Sequence, residues 1–240
     1  VSRAEDIAAN LDKVRERMDT ALIAAHRSSE GIRLLAVSKT APAEDVVAAL
    51  KSGQRDFAES YGQEFRDKHQ AVASLIEAGN LPEPRWHFIG PLQTNKVKYV
   101  AGKVALVHSA ATVEVLAELE RKAKALGVIQ DCLVQVNVAG EIQKSGIAPD
   151  DLPATLDNFA SFSHLCCTGL MVIPPYDEDP ELSRPHFAAL RRLRDQHRSA
   201  RRPNVVLAEL SMGMSHDLEV AIAEGATLVR VGTAIFGARS

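Results

Sequence analysis

Short apolar runs and longer amphipathic stretches alternate along most of this chain. The apolar runs fall at Arg33–Ser38, Asp56–Ala58, Trp86–Ile89, Val104–His108, Leu133–Val138, Cys167–Ile173, Val205–Leu210 and Leu228–Val231. Between them apolar residues recur at helical spacing, as in Glu44–Leu50, Gln63–Ala78, Thr112–Leu126, Asp151–Phe159, Phe187–Arg198 and Leu218–Ala223. Strand after helix after strand implies a parallel sheet with right-handed crossovers. Eight such units in 240 residues predict a closed (β/α)8 TIM barrel, for which ~250 residues is typical. An open doubly wound sheet is the alternative. It would have fewer strands and a glycine-rich first turn, whereas Ser38-Lys39-Thr40-Ala41-Pro42 contains no glycine.

Ahead of the first strand, Ile7, Leu11, Val14, Met18, Ala21, Leu22 and Ala25 form one apolar stripe with charged residues between them. This predicts a helix over residues 1–29, closed near Gly31, and a single domain over 1–240 with the barrel at 32–240. The helix either packs under its own barrel or joins a dimer, so the expected state is a monomer or a weak homodimer. The eighth unit ends close to Ser240, and no C-terminal β domain is expected.

Composition narrows the function classes. A charged content of 25% with net charge −3 gives no global reason to expect nucleic acid or an anionic membrane as partner. No apolar stretch is long enough to span a bilayer. Cys132, Cys166 and Cys167 show neither a C-x-x-C pair nor zinc spacing. They read as buried thiols in a reduced, cytoplasmic compartment. The run Arg191, Arg192, Arg194, Arg198, Arg201 and Arg202 reads as a solvated helix face plus loop, without aromatic platforms for bases.

Candidate chemistry gathers at the C-terminal ends of the strands, where barrels of this kind bind ligands. Lys39 stands just past the first strand. An amine held there, partly dry and near other cations, can form a Schiff base. Two loops after the seventh and eighth strands suit a phosphate. One is Ser211-Met212-Gly213-Met214-Ser215-His216-Asp217. The other is Gly232-Thr233, where glycine permits close backbone approach and threonine can cap a short helix. Strand alternation turns Arg230 into the barrel. A buried arginine needs an acceptor, and Glu209 at a neighbouring strand end is the candidate.

These stretches resemble the pyridoxal phosphate homeostasis proteins, which share their fold with the N-terminal barrel of alanine racemase. The resemblance rests on Ala36-Val37-Ser38-Lys39-Thr40, on Trp86-His87-Phe88-Ile89-Gly90-Pro91-Leu92-Gln93-Thr94-Asn95-Lys96, and on Val136-Asn137-Val138 with Glu141, Lys144 and Gly146. It continues through Gly169-Leu170-Met171, Leu210–Ser215 and Val229–Gly237, in the family's order. The resemblance implies that Lys39 carries pyridoxal 5′-phosphate (PLP) as a Schiff base. It implies that Ser211 or Ser215, with Gly232 and Thr233, binds the phosphate, that Arg230 faces the pyridine nitrogen, and that His87 lies near the ring. One departure is visible. Where the family has Phe-Gly-Glu-Asn-Tyr, this chain reads Phe57-Ala58-Glu59-Ser60-Tyr61. Ser60 then replaces an asparagine expected at the ring hydroxyl, and a water would bridge the shorter reach.

PLP works as an electron sink, and the sink is strongest with a protonated pyridine nitrogen. Arginine only donates and leaves that nitrogen unprotonated. Racemisation tolerates a weak sink but needs a base on each face of Cα. No motif designates Tyr61, Tyr99 or Tyr176 as the second base. The expected function is therefore a PLP-binding protein for intracellular homeostasis and delivery, with PLP-dependent apoenzymes as candidate recipients and little or no catalysis. A racemase or lyase using the same site is the alternative, and a Schiff-base aldolase is a third. Lys144 reads as a solvent-facing loop residue, with transient cofactor capture as the second reading.

Overall fold

Each barrel strand divides its side chains between the barrel interior and a layer beneath the helices, as a period of two requires. Leu35, Val37, Ala58, Leu106, Leu133, Met171 and Leu228 form the apolar part of the interior. Outward-facing residues such as Ala36, Phe57, Trp86, Val107, Val134 and Val229 pack beneath the helices. The computed structural model describes residues 2–141 and 145–237. Lys144 lies outside the described residues.

The elements follow in the order α1 (Arg3–Ala24), β1 (Arg33–Val37), α2 (Ala43–Lys51), β2 (Asp56–Glu59), α3 (Gly62–Gly79), β3 (Arg85–Phe88), α4 (Val97–Val100), β4 (Leu106–Ala110) and α5 (Val113–Leu126). They continue with β5 (Gln130–Gln135), α6 (Leu152–Ser161), β6 (Leu165–Met171), α7 (Arg184–Arg198), β7 (Val205–Ser211), α8 (Leu218–Ala223), β8 (Leu228–Val231) and α9 (Thr233–Phe236). All strand pairings are parallel, and β1 closes the barrel by pairing with both β2 and β8. The barrel is thus the expected (β/α)8 architecture. No helix among the described residues is long and apolar enough to cross a membrane.

Several boundaries shift from the pattern reading, β4, β5 and β6 by two or three residues, and two of the shifts show a clear tertiary cause. β5 begins at Gln130, ahead of the apolar run. The Gln130 amide is buried because it donates to Val104 O and accepts from the Gly102 N–H. Helix α1 ends at Ala24, short of the predicted 28–31 segment. His26 takes a left-handed φ of 52°. The Arg27 N–H then reaches Leu22 O and the His26 N–H reaches Ile23 O, a Schellman closure without glycine. Arg27 reinforces it by donating its side chain to Ile222 O and Ala226 O. The buried face of α1 lies on its own barrel, against α2, α8 and α9.

Candidate functional site

The pairing of β1 with β8 brings Lys39 beside Gly232 and Thr233. These three, with Val37, Thr40 and Pro42 and with Arg3, Asp45 and Phe236 on the α1–α2–α9 side, line a cavity of about 180 Å³ at the C-terminal end of the barrel, whereas Ser60, His87, Ser211, Ser215 and Arg230 do not line it. A Cβ at Gly232 would lie 3.2 Å from Val37 O and 3.3 Å from Val37 Cβ, so glycine lets the two loops approach. Lys39 is half-buried, Gly232 half-buried and Thr233 exposed. Ser60 is half-buried and continues the inward register of Ala58.

The main chain on both sides of Lys39 is clamped from outside the barrel wall. The Ser38 hydroxyl donates to Glu59 Oε1 at 2.7 Å. The Lys68 ammonium donates to Ser38 O at 2.6 Å, Glu59 Oε1 at 2.7 Å and Glu64 Oε1 at 2.8 Å, which uses its three donors. Glu64 in turn accepts the Thr40 N–H at 2.5 Å. Thr40 has a φ of 67°, a strained position for a β-branched residue. The clamp thus holds the backbone just before and just after the lysine. Burial pushes the Glu59 carboxyl above its ordinary value, and Lys68 and Ser38 only partly offset this. Its second oxygen, Oε2, is buried without a hydrogen-bond partner.

Arg230 is anchored from inside the barrel. It is buried and donates to Ser211 Oγ at 2.6 Å and to Val172 O at 2.9 Å. The anticipated pairing with Glu209 does not form, because Glu209 bonds Arg33 at the opposite, N-terminal end of the strands. Burial pushes the Arg230 guanidinium down to about 10, so it remains a cation at neutral pH.

From Ser211 a chain of hydrogen bonds crosses the barrel. Ser211 Oγ meets His108 Nδ1 at 2.8 Å, His108 Nε2 meets His87 Nδ1 at 3.0 Å, and His87 Nε2 meets Asp56 Oδ1 at 3.0 Å. Arg85 donates to the other Asp56 oxygen at 2.6 Å. The proton direction follows from the ends. Arg230 can only donate, so Ser211 accepts from it and gives its own hydrogen to His108 Nδ1. Neutral His108 then carries its proton on Nε2 and donates to His87, which donates to Asp56. Burial holds both imidazoles below their ordinary value, His108 most strongly. Burial opposes the Asp56 charge, but His87 and Arg85 outweigh it and hold the carboxyl low.

This geometry sorts the expected site residues. His87 has both ring nitrogens committed, so it supports Arg230 from behind. Ser211 is likewise spent inside the barrel. Ser215 is half-buried in the β7–α8 loop, where Gly213 turns the chain with a φ of 90°. Asp217 shapes that loop by accepting from the Met214 N–H at 2.7 Å and the Ser183 hydroxyl at 3.0 Å. Gly90, in the Trp86–Lys96 stretch, lets β3 close on β2, since a Cβ there would lie 1.9 Å from Ser60 O.

The remaining candidates resolve into ordinary structure. In the arginine run, Arg191 pairs with Glu224, Arg194 with Asp195 and Arg202 with Asp157. Cys132 and Cys167 are buried, and burial pushes both thiols up, Cys167 to about 12. Tyr61 and Tyr176 are exposed, and Tyr176 packs at a tilt against His216.

Asp56, Glu64, Lys68 and His108 escaped the motif reading, and Glu59 stood within a quoted motif without a role of its own. Weak signals existed for three of them. Asp56 and His108 are polar positions in strands, and Lys68 falls on the buried stripe of α3 between Phe65 and Val72.

Comparison with known proteins places the barrel in a class first. Residues 4–240 match the model for the alanine racemase N-terminal domain. Within that class, a curated "Pyridoxal phosphate homeostasis protein" of Aquifex aeolicus is 44% identical over 229 residues, covering 95% of this chain and 96% of that protein. PipY of Synechococcus elongatus, solved with PLP bound, superposes with a TM-score of 0.81 at 32% identity, over 96% of this chain and 100% of PipY. A crystal structure described as that of an unknown protein from Bifidobacterium adolescentis superposes with a TM-score of 0.91 at 32% identity, over 98% of this chain and 97% of that one. The chain belongs to the pyridoxal phosphate homeostasis protein family.

Proposed function

We propose that this protein holds PLP covalently and reversibly through Lys39 and serves intracellular PLP homeostasis, buffering the cofactor and delivering it to PLP-dependent apoenzymes. The observation that carries this is the shared cavity of Lys39, Gly232 and Thr233. An amine and a glycine-threonine turn in one small cavity suit a phosphorylated aldehyde. The binding of PLP by PipY, at 32% identity over nearly the whole chain, supports the same ligand.

Lys39, Gly232 and Thr233 share the cavity and fit the aldehyde and the phosphate, while the other expected donors stand on neighbouring strand ends and loops. Ser215, Gly232 and Thr233 would hold the phosphate, Arg230 the pyridine nitrogen, and Ser60 the ring hydroxyl through a water. Bound PLP supplies an aldehyde for the lysine and an electron sink for amino-acid chemistry. Arg230 has no proton acceptor to offer that nitrogen and stays cationic, which keeps the sink weak. The clamp around Ser38 and Thr40 orients Lys39. The histidine chain keeps Arg230 from swinging toward solvent.

This reading assigns little or no turnover to the protein, which acts as one domain over residues 1–240. It places the protein in the cytoplasm as a monomer or weak homodimer. The test is spectroscopic. Purified protein with PLP is expected to be yellow, to bleach with borohydride, and to retain the label on Lys39 by peptide mass mapping. Lys39→Ala is expected to stay colourless. A wild type that takes up no added PLP overturns the proposal. Loss of chirality from a single-enantiomer amino acid would replace it with the racemase alternative.

A further inference from the structure

We propose that helix α1 braces the phosphate end of this site through Arg3, Asn10 and Arg17, and so sets affinity for the phosphate group specifically. The inference rests on the PLP reading above. The three residues are seven apart in sequence and therefore share one stripe of the helix. Each donates its side chain to a main-chain carbonyl, Arg17 within the β7–α8 loop and Arg3 and Asn10 at the end of the short helix α9 that follows Gly232. Arg3 Nη2 reaches Phe236 O at 2.7 Å, Asn10 Nδ2 reaches Ile235 O at 3.1 Å, and Arg17 Nη2 reaches Ser215 O at 3.0 Å.

The receiving carbonyls give these bonds their meaning. Ile235 and Phe236 end α9, which begins directly after Gly232, and carbonyls at a helix end have no partner within the helix. Ser215 lies in the middle of the β7–α8 loop. Both arginine forks are themselves oriented. Asp45 accepts from Arg3 Nε at 3.1 Å and Nη2 at 2.6 Å, and Glu219 accepts from Arg17 Nε at 2.7 Å and Nη2 at 3.0 Å. Beside this polar stripe, buried Ile7, Leu11, Val14 and Met18 seat α1 on the barrel. Two loops that are separate in sequence are thus tied to one rigid rod.

Arg3 itself lines the cavity of Lys39, Gly232 and Thr233, whereas Asn10 and Arg17 do not, so these two act through the loops alone. Their effect is to order both loops during folding, so that the ordering cost does not fall on binding. A ligand without a phosphate makes no use of those loops and gains nothing from the brace. A merely structural role for α1 would weaken both kinds of ligand alike.

The experiment compares PLP with pyridoxal, which keeps the aldehyde and lacks the phosphate. Both are titrated into apo full-length protein carrying Asn10→Ala, Arg17→Ala or the pair, following lysine adduct formation by absorbance. The double variant is expected to lose about tenfold in PLP affinity with pyridoxal affinity unchanged. Arg17→Lys, which keeps a donor for Ser215 O, is expected to recover part of the loss. Equal losses for the two ligands, or undiminished PLP binding, would overturn the brace. If the double variant does not fold, Asn10→Ala alone decides by the same ratio. A wild type that binds pyridoxal as tightly as PLP overturns the brace while leaving the Lys39 reading intact. One that binds neither overturns both.

Discussion

Asp56 and Glu59 stand three residues apart on β2 and are both buried, yet their charges fare in opposite ways. Asp56 faces into the barrel and has both oxygens satisfied, one by His87 and one by Arg85. Its carboxyl is held low. Glu59 faces out toward α3, with two donors on one oxygen and none on the other. Its carboxyl is pushed up. Each ends a network that supports one candidate site residue. Glu59 and Lys68 hold Lys39 through its main chain, using buried charges. Asp56 holds Arg230 through two neutral imidazoles and a hydroxyl. Buried charge is an all-or-none constraint, because removing one member strands the other. A neutral chain loses one hydrogen bond at a time.

The largest effect should come from breaking the charged clamp. Lys68→Met strands Glu59 and is expected to cost ~3–5 kcal/mol of stability, read by denaturant unfolding. Adding Glu59→Gln should restore much of that loss. If the single variant is as stable as wild type, the clamp is not the constraint described.

Breaking the neutral chain should be milder. His108→Ala leaves Ser211 and His87 short of a partner and is expected to cost ~1–3 kcal/mol. It should also alter the absorption of bound PLP, because Arg230 loses its orientation. An unchanged spectrum would separate the chain from the ligand site.

The pH profile sharpens the contrast in sign. His87 and His108 are held below their ordinary value. The unfolded chain therefore binds more protons once pH falls below about 6.5, and stability declines from there downward. His108→Gln should make that limb shallower. Asp56, held low, contributes stability that is present above its unfolded value and lost as pH falls through its folded value. Glu59, held high, contributes in the opposite sense, with stability lost as pH rises through its folded value. Asp56→Asn should flatten the acid limb, and Glu59→Gln should steepen it. The same slope for both variants would refute the contrast.

The smallest effect is expected for Arg85→Ala. Arg85 is half-exposed, so solvent screens its pairing with Asp56 and the loss should be about 1 kcal/mol or less.

The barrel was legible in the chain because strand and helix periods are local and eight repeats leave few other topologies. That Lys39, Gly232 and Thr233 share one cavity was legible for a related reason: the end of a strand can be located from the pattern, and the loops at that end gather together. Local pattern misled where tertiary contacts took over. Gly31 looked like the helix stop, but His26 adopts the left-handed turn because Arg27 finds carbonyls near α8 to bond. Glu209 looked like the partner of Arg230, but its carboxylate lies at the N-terminal end of the barrel with Arg33.

Local periodicity therefore decided the architecture and the address of the site. Only barrel closure decided the identity of its supports. Lys68 reaches Glu59 across the β2–α3 layer, and His108 reaches Ser211 across the barrel interior. Such pairings depend on distances between elements far apart in the chain. A one-dimensional pattern contains which residues face inward, but not which inward-facing residues meet.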